Sequence, residues 1–268
     1  MRHKGKDNGL MTFGGHLEVL RMMLFRVLGV SCTIAVIVFC MKDITWHILL
    51  APSEWNFITY TWIENMAHAV GISDLTFPKF HVKLIATDLT SQFMTHITTS
   101  VYLGLLIASP YILYELFRFV SPALFDNERK YSVRIIVAIY LLFIVGVLIS
   151  YYLLFPISFR FLGTYSVSDR VESTITIDSY VSTFTTLTLL MGVVFQLPVI
   201  SFVLAKMGII NAGLLARYRK HAFIIILTLA AIITPGQDIL SLTLVSLPLY
   251  ILYEISILIV NKAERKKQ

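Results

Sequence analysis

Polar side chains that interrupt long apolar stretches are the first candidates for chemistry in this sequence. Gln196 stands in the middle of one such stretch, and His96 and Glu254 stand inside two others. If these stretches span a membrane, each polar group is costly there and is by default a candidate for ligand binding or proton transfer. For Gln196 the alternative is structural, because an amide can also join two helices by a hydrogen bond.

Enzymatic chemistry has little support in the sequence. The seven histidines are scattered, and there is no HExxH motif, no Cys/His cluster and no glycine-rich phosphate loop. We therefore expect no enzyme activity, no metal and no cofactor. Cys32 and Cys40 are the only cysteines. Their separation along one helix, about 12 Å, is too great for a disulfide, so we interpret them as small apolar packing residues.

The elements that position these groups are apolar stretches of bilayer length. The 268 residues are 57% hydrophobic and only 14% charged, with a mean hydropathy of +0.77, and a soluble fold needs more charge than this to cover its surface. Long apolar stretches lie at 24–41, 93–117, 131–155, 180–204 and 239–260. A shorter one at 221–233 reaches only about 18–20 Å, less than a hydrocarbon core of about 30 Å. The sequence predicts an all-α membrane protein with six transmembrane helices and a short fifth span.

Basic residues alternate between the two sides of this bundle. Of the 22 Lys and Arg residues, 17 fall before residue 27 or in segments 118–134, 206–220 and 262–267. This is the positive-inside pattern, and it places both termini in the cytoplasm. The net charge of +6 is therefore a topology signal rather than a nucleic-acid footprint. We expect a cytoplasmic segment at 1–23, without a cleavable signal peptide, a membrane domain at 24–260 and a cytoplasmic basic tail at 261–268.

Prolines and tryptophans shape the predicted bundle. Pro110, Pro198 and Pro248 remove backbone hydrogen bonds inside spans, which favours a kinked, concave bundle. All three tryptophans lie in the long outward loop 42–92, so we expect 55–69 to lie on the membrane as an amphipathic helix. The alternative is a small capped soluble domain. In the second outward loop, 156–179, residues 174–177 alternate like a short extended segment.

Several motifs, in this order, resemble those of the TatC family, the multispanning receptor of the twin-arginine protein translocase. They are HLEVLR at 16–21, IATD at 85–88, FVSPALFDNERK at 119–130, FP at 155–156, FQLP at 195–198 and TPGQD at 234–238. The resemblance covers nearly the whole chain. It implies a receptor that binds the twin-arginine signal peptides of folded proteins, in a translocase driven by the proton-motive force.

The resemblance also implies the residues of a peptide-binding site on the cytoplasmic side. Two adjacent arginines are best met by carboxylates that accept bidentate, charge-assisted hydrogen bonds. Glu128 and Glu18 both fall on the predicted inner side. The full set of implied signal-peptide-binding residues is Glu128, Glu18, Arg21, Phe119, Pro122 and Leu124. Gln196, Asp238 and Pro52 are the further functional candidates.

Structural alternatives remain for these residues. Glu128 can stabilise the start of the third span through the helix dipole, and Asp238 can cap span six. The amino-terminal motif departs from the family pattern His-Leu-x-Glu-Leu-Arg, which would place the acid at position 19, where this chain has Val19. Either Glu18 substitutes for that acid or it is simply solvated. Glu115, one turn before Phe119, is a further candidate for the second acid.

The resemblance implies partners and a location as well. We expect TatA/TatB-type single-span proteins, self-association, and the bacterial inner (plasma) membrane with both termini cytoplasmic, and we expect no binding of nucleic acid. The rival hypothesis is a secondary transporter for a small solute. Transporters usually show repeats or paired broken helices, and we find no repeat here. A purely structural anchor is the third alternative, disfavoured by Gln196 and the predicted kinks.

Overall fold

A computed structural model of the chain describes residues 13–69, 71, 80, 82–120, 129–166, 168, 174–234 and 238–265. Its α-helices are α1 (Phe13–Cys40), α2 (Lys42–Leu50), α3 (Ile58–Ala69), α4 (Ser91–Val120), α5 (Arg129–Ile149), α6 (Phe155–Thr164), α7 (Ile177–Val194), α8 (Leu197–Lys206), α9 (Ala212–Arg217), α10 (Arg219–Ile233) and α11 (Ile239–Arg265). A short 3₁₀ turn covers Ala51–Ser53, and the strands are β1 (Lys83–Ile85) and β2 (Thr174–Thr176).

The predicted spans are present as helices. Among the described residues, five helical stretches are long and apolar enough to cross a membrane: Leu17–Cys40, Ser91–Phe119, Ile135–Thr164, Ile177–Lys206 and Ile239–Arg265. The sixth, α10, has 15 residues and therefore a length of about 22 Å, shorter than a typical hydrocarbon core. The all-α membrane fold with a short fifth span is confirmed.

The third span continues where the sequence predicted that it would end. We expected Pro156 to lead out of the helix, yet helix continues through it to Thr164. A π-helical segment, Ser150–Leu154, precedes the proline and widens the turn, with the Phe155 amide donating to the Ser150 carbonyl. Because Pro156 has no N–H, the carbonyl of Tyr152 lacks its usual donor. The hydroxyl of Thr59 donates to that carbonyl instead.

The other prolines that we expected to kink spans occupy two kinds of position. Pro110 and Pro248 lie inside the continuous helices α4 and α11. Pro198 instead follows a break in the fourth span, where Phe195 and Gln196 separate α7 from α8. Pro198 has no N–H to donate, and the break accommodates the backbone carbonyl that is left without this donor.

The described helices place their termini at two ends of the bundle. At one end, here called the basic end, α1, α5 and α10 begin and α4, α8 and α11 end. An ion pair between Arg219 and Glu254 and a hydrogen bond from the Ala212 amide to Glu264 hold α9 and the start of α10 against the last turns of α11 there. At the other end, here called the cap end, lie α2, α3 and the two strands.

Hydroxyl groups fasten the cap to the bundle. Tyrosine hydroxyls donate to backbone carbonyls over long sequence distances: Tyr60 to Pro156 at 3.0 Å, Tyr180 to Leu49 at 2.7 Å and Tyr151 to Ile48 at 2.8 Å. Tyr60 and Tyr180 are buried. Burial raises the pKa of Tyr60 well above its ordinary value, since the phenolate would lose its hydration. Tyr60 therefore stays protonated and keeps donating.

The cap confirms one prediction and adds a strand that we did not foresee. Thr174–Thr176 is extended, as the alternation indicated, and it pairs in parallel with Lys83–Ile85, with Leu84 opposite Ile175. Ile58–Ala69 is helical, inside the segment where we predicted a helix lying on the membrane. Trp55 and Trp62 are exposed, as an interfacial helix requires, and the placement on the membrane stays a prediction.

The main core lies between the π-helical segment, α6, α7, α10 and α11. Phe155 packs edge-to-face against Tyr180 and Phe184, with ring centroids 5.1 and 5.0 Å apart. Elsewhere small residues let helices approach: Gly104 of α4 faces Ala35 of α1, where an added Cβ would lie 2.7 Å from the Ala35 Cα.

The two cysteines correct one prediction. Cys32 and Cys40 are free, as their spacing indicated, but both are exposed on α1. Neither packs into the bundle, so their interpretation as packing residues is wrong. α1 contacts the rest of the chain mainly through α4, and most of its surface faces away from the bundle.

Candidate functional site

The start of α1 and the end of α4 lie side by side at the basic end. Arg26 Nη1 lies 3.3 Å from Glu115 Oε1 and 3.5 Å from Oε2, joining residues 89 apart in sequence. Glu115 is only 5% exposed, whereas the Arg26 side chain is 45% exposed. A carboxylate buried to this degree needs a cationic or hydrogen-bonding partner, and Arg26 supplies it.

Two further groups on α4 face the same carboxylate. The Tyr111 hydroxyl, one turn earlier, donates to Glu115 Oε1 at 3.2 Å, and Arg118 Nη1, one turn later, lies 3.8 Å from that oxygen. The Arg118 side chain is 62% exposed. Two arginines and one carboxylate leave this cluster with a net positive charge.

Glu18 and Arg21 lie on the first turns of α1, and both are exposed. Glu18 precedes Arg26 by eight residues, which places it about 12 Å further toward the basic end. Val120, the last residue of α4, lies five residues beyond Glu115, or about 7–8 Å. Because the two helices run antiparallel, Glu18 extends about one helical turn past the end of α4.

The end of α4 and the segment that follows it carry four of the six implied signal-peptide-binding residues. Phe119 is half-buried in the last turn of α4. Glu128, Pro122 and Leu124 lie outside the described residues, and their roles stay predictions. In the chain, Glu128 directly precedes Arg129, the first residue of α5.

Gln196 occupies the break in the fourth span and is 7% exposed. Its Nε2 donates to the carbonyl of Ile139 on α5 at 3.1 Å and to that of Gly192 at 3.4 Å. The backbone N–H of Gln196 donates to the carbonyl of Val193, three residues back, so the Gly192 carbonyl lacks its usual backbone donor. The side chain thus joins two helices and satisfies the break, which supports the structural alternative. Its Oε1 is buried without a partner among the described residues.

The remaining candidates lie at the cap end. Asp238 Oδ1 accepts from the Ser241 amide at 2.7 Å and so caps α11, as predicted. Pro52 is buried in the 3₁₀ turn, and its carbonyl accepts from Tyr60 at 3.2 Å. Neither residue is near the Arg26–Glu115 cluster, and the contacts of Pro52 are structural. Within the described ranges, no three His, Cys, Asp or Glu residues are grouped so as to hold a metal ion.

Comparison with known proteins identifies the family. The model of the Sec-independent protein translocase protein family (TatC) matches residues 15–248. The chain belongs to the TatC family. It is 35% identical to the TatC of Blattabacterium sp. subsp. Periplaneta americana over 260 residues, covering 96% of this chain and 97% of that protein. It is 41% identical to TatCy of Bacillus subtilis over 185 residues, covering 69% and 72% of the two chains.

Solved structures show the same TatC fold. A crystal structure described as the twin arginine translocase receptor TatC superimposes with a TM-score of 0.73 at 30% identity, covering 93% of this chain and all of that one. A second crystal structure of that receptor gives a TM-score of 0.74 at 28% identity. The family and fold predicted from the sequence motifs are confirmed.

Sequence reasoning missed Arg26 as a member of the site. It noted Glu115 from its place one turn before Phe119, but an ion pair between residues 89 apart leaves no local signal. An arginine just inside the first apolar stretch was the only hint, because such a charge needs either a headgroup or a partner.

Proposed function

We propose that this chain is the receptor component of a twin-arginine translocase and binds twin-arginine signal peptides of folded proteins at its basic end. The observation that carries the proposal is the match over nearly the whole chain to a crystal structure described as that receptor. Membership of a protein translocase family also favours a protein-export receptor over a transporter of small solutes.

The chemistry of the basic end supports this function. A twin-arginine peptide offers two planar guanidinium groups, and carboxylates at a membrane surface can accept paired hydrogen bonds from them. Glu18 is exposed and extends past the end of α4, and segment 121–128 follows that helix in the sequence. Glu128 closes that segment in sequence. The proposed clamp therefore consists of Glu18 and Glu128, with Arg21, Phe119, Pro122 and Leu124 around it.

The setting follows from the charge pattern. The basic end faces the cytoplasm of a bacterial cell and the cap end faces outward, so both termini of this multi-pass inner-membrane protein are cytoplasmic. Single-span partners of the TatA/TatB kind supply the conducting assembly, and copies of this chain associate with one another. The proton-motive force supplies the energy, with no nucleotide, cofactor or catalytic step in this chain.

An export assay tests the function. A bacterial strain that lacks its own TatC receives this chain together with its partner proteins and a folded fluorescent reporter behind a twin-arginine signal peptide. We expect export of this reporter and none of an otherwise identical reporter with two lysines. Lysine keeps the charge but loses the planar fork. No export, or equal export of both reporters, would contradict the proposal.

Single variants test the clamp in the same strain. Glu128→Gln should insert normally and lose export, because the amide cannot accept a charge-assisted pair. Glu54→Gln, which changes an exposed carboxylate at the cap end, is the matched control and should export normally. Glu18→Gln tests whether Glu18 substitutes for the acid that the family pattern places at position 19. Wild-type export would show that Glu18 is solvated and takes no part.

A further inference from the structure

We propose that Glu115 is a third carboxylate of the peptide-binding site, and that Arg26 occupies it until an arginine of the signal peptide displaces Arg26. This inference rests on the proposed function, because it assigns a deeper position in the same site. In the unliganded receptor, Arg26 thus binds Glu115 in place of the arginine of the signal peptide.

A Glu115 carboxylate without a cationic partner would be costly. Glu115 is almost fully buried near the end of a membrane span, and a buried carboxylate without a cation is strongly destabilising. A receptor that keeps such an acid for an incoming guanidinium therefore needs a cation of its own in the unliganded state. Arg26 carries the same guanidinium group as the proposed ligand.

The contact between Arg26 and Glu115 is longer than a good arginine–carboxylate contact, so another arginine can bind Glu115 more closely. A single nitrogen of Arg26 faces both carboxylate oxygens, at 3.3 and 3.5 Å. Charge-assisted bonds are typically about 2.7–2.9 Å long, and a well-placed guanidinium makes two parallel bonds. The Arg219–Glu254 pair at the same end of the bundle reaches this distance, with Nη2 and Oε2 2.9 Å apart. Arg26 thus holds Glu115 less closely than an arginine can.

Arg26 is also free to leave. Its side chain is nearly half-exposed on α1, and its long aliphatic stem lets the charged group turn toward lipid headgroups. Arg118 does not replace it, since its nitrogen lies 3.8 Å from the carboxylate and its side chain is mostly exposed. Displacement therefore exchanges one guanidinium for another without leaving the acid unpaired.

The position of Glu115 suits one of two adjacent arginines. Successive side chains of an extended peptide point to opposite sides. One arginine can meet Glu18 on α1 while its neighbour points toward Glu115 on α4. Glu115 lies one turn before Phe119, about 12 Å deeper along α1 than Glu18. The alternative is that the Arg26–Glu115 pair only staples α1 to α4.

Affinity measurements separate the two accounts by the sign of the effect. The purified full chain in lipid nanodiscs is titrated with a fluorescent twin-arginine signal peptide, and the Kd is measured for three variants. Arg26→Gln removes the competitor and should tighten binding about three- to tenfold, whereas Glu115→Gln removes the acid and should weaken it by a similar factor. Arg219→Gln breaks a different ion pair of the basic end, the one with Glu254, and should leave the Kd unchanged.

If the Arg26–Glu115 pair only holds α1 against α4, the Kd values of the variants should change in a different way. Loss of either partner would loosen α1 from α4, so both variants would weaken binding or both would leave it unchanged, and either result overturns the inference. If Arg26→Gln melts early, Arg26→Lys keeps a cation beside Glu115 without the fork, and it should tighten binding by a smaller factor; weaker or unchanged binding would overturn the inference. A wild-type chain that binds twin-arginine and twin-lysine peptides equally contradicts the proposed function instead.

Discussion

The approach of α1 to α4 can be tested by a single methyl group at Gly104. An added Cβ there would lie 2.7 Å from both the Cα and the Cβ of Ala35 and 2.9 Å from its backbone nitrogen. Ordinary contact begins at 3.4 Å, so Gly104→Ala must push the helices apart by about 0.7 Å. Two of the three contacted atoms are backbone, and a rotamer change cannot relieve the clash.

The size of the effect follows from two opposing contributions. Overpacking of this kind costs about 1–3 kcal/mol. Replacing glycine by alanine inside a helix contributes up to about 1 kcal/mol in the other direction. Gly29→Ala in α1 gains the same helix preference with nothing within 4 Å of the new Cβ, so it is the matched control. The two variants should differ in stability by about 1–3 kcal/mol, with Gly104→Ala the less stable.

Thermal unfolding of both variants in detergent measures this difference. We expect Gly29→Ala to melt at or above the wild-type temperature and Gly104→Ala to melt several degrees below Gly29→Ala, at about 2–4 °C per kcal/mol. Equal melting temperatures for the two single variants would refute the close packing of α1 on α4.

Two further variants test the cap and the break in the fourth span. Tyr60→Phe removes the donor to the buried Pro156 carbonyl and should cost about 1–3 kcal/mol in thermal melts, whereas the exposed Tyr114→Phe should be neutral; equal melting would contradict the fastening role. Gln196→Glu should destabilise more than Gln196→Leu at neutral pH, because a buried carboxylate cannot donate to Ile139 and loses its hydration; the reverse order would contradict the helix-joining role.

The fold was largely predictable because a bilayer imposes local rules. Each span needs a minimum apolar length, so the sequence alone located the long helices and showed that the stretch ending at Ile233 is short. Local chemistry also predicted the cap that Asp238 forms on α11 and the extended segment Thr174–Thr176. These features depend on neighbours within a few residues.

Features that depend on distant residues were not predictable. β1 is extended because it pairs with Thr174–Thr176, about 90 residues later, and its own sequence gave no sign of this. The helix continues through Pro156 because a π-helical segment and the hydroxyl of Thr59 compensate for the missing donor. A proline alone indicates a helix end, and only the tertiary contact reverses that expectation.

In the candidate site, too, the residues with local sequence signals were predictable and the contacts between distant residues were not. The carboxylates Glu18, Glu115 and Glu128 were found from motifs and from their position at the predicted inner surface. The partner of Glu115 was not, because the Arg26 contact comes from helix packing. Gln196 was correctly singled out as polar within a span, but its two hydrogen bonds arise from a break that the sequence did not reveal.

Photo-crosslinking from the signal peptide tests the central claim most directly. A photoreactive residue placed beside the two arginines is activated in membranes that contain this chain, and mass spectrometry maps the adducts. We expect adducts within 119–128 and on the first turns of α1 near Glu18, and their loss when the arginines are replaced by lysines. Adducts confined to the cap end, on α3 or on the strand Lys83–Ile85, would contradict a receptor site at the basic end.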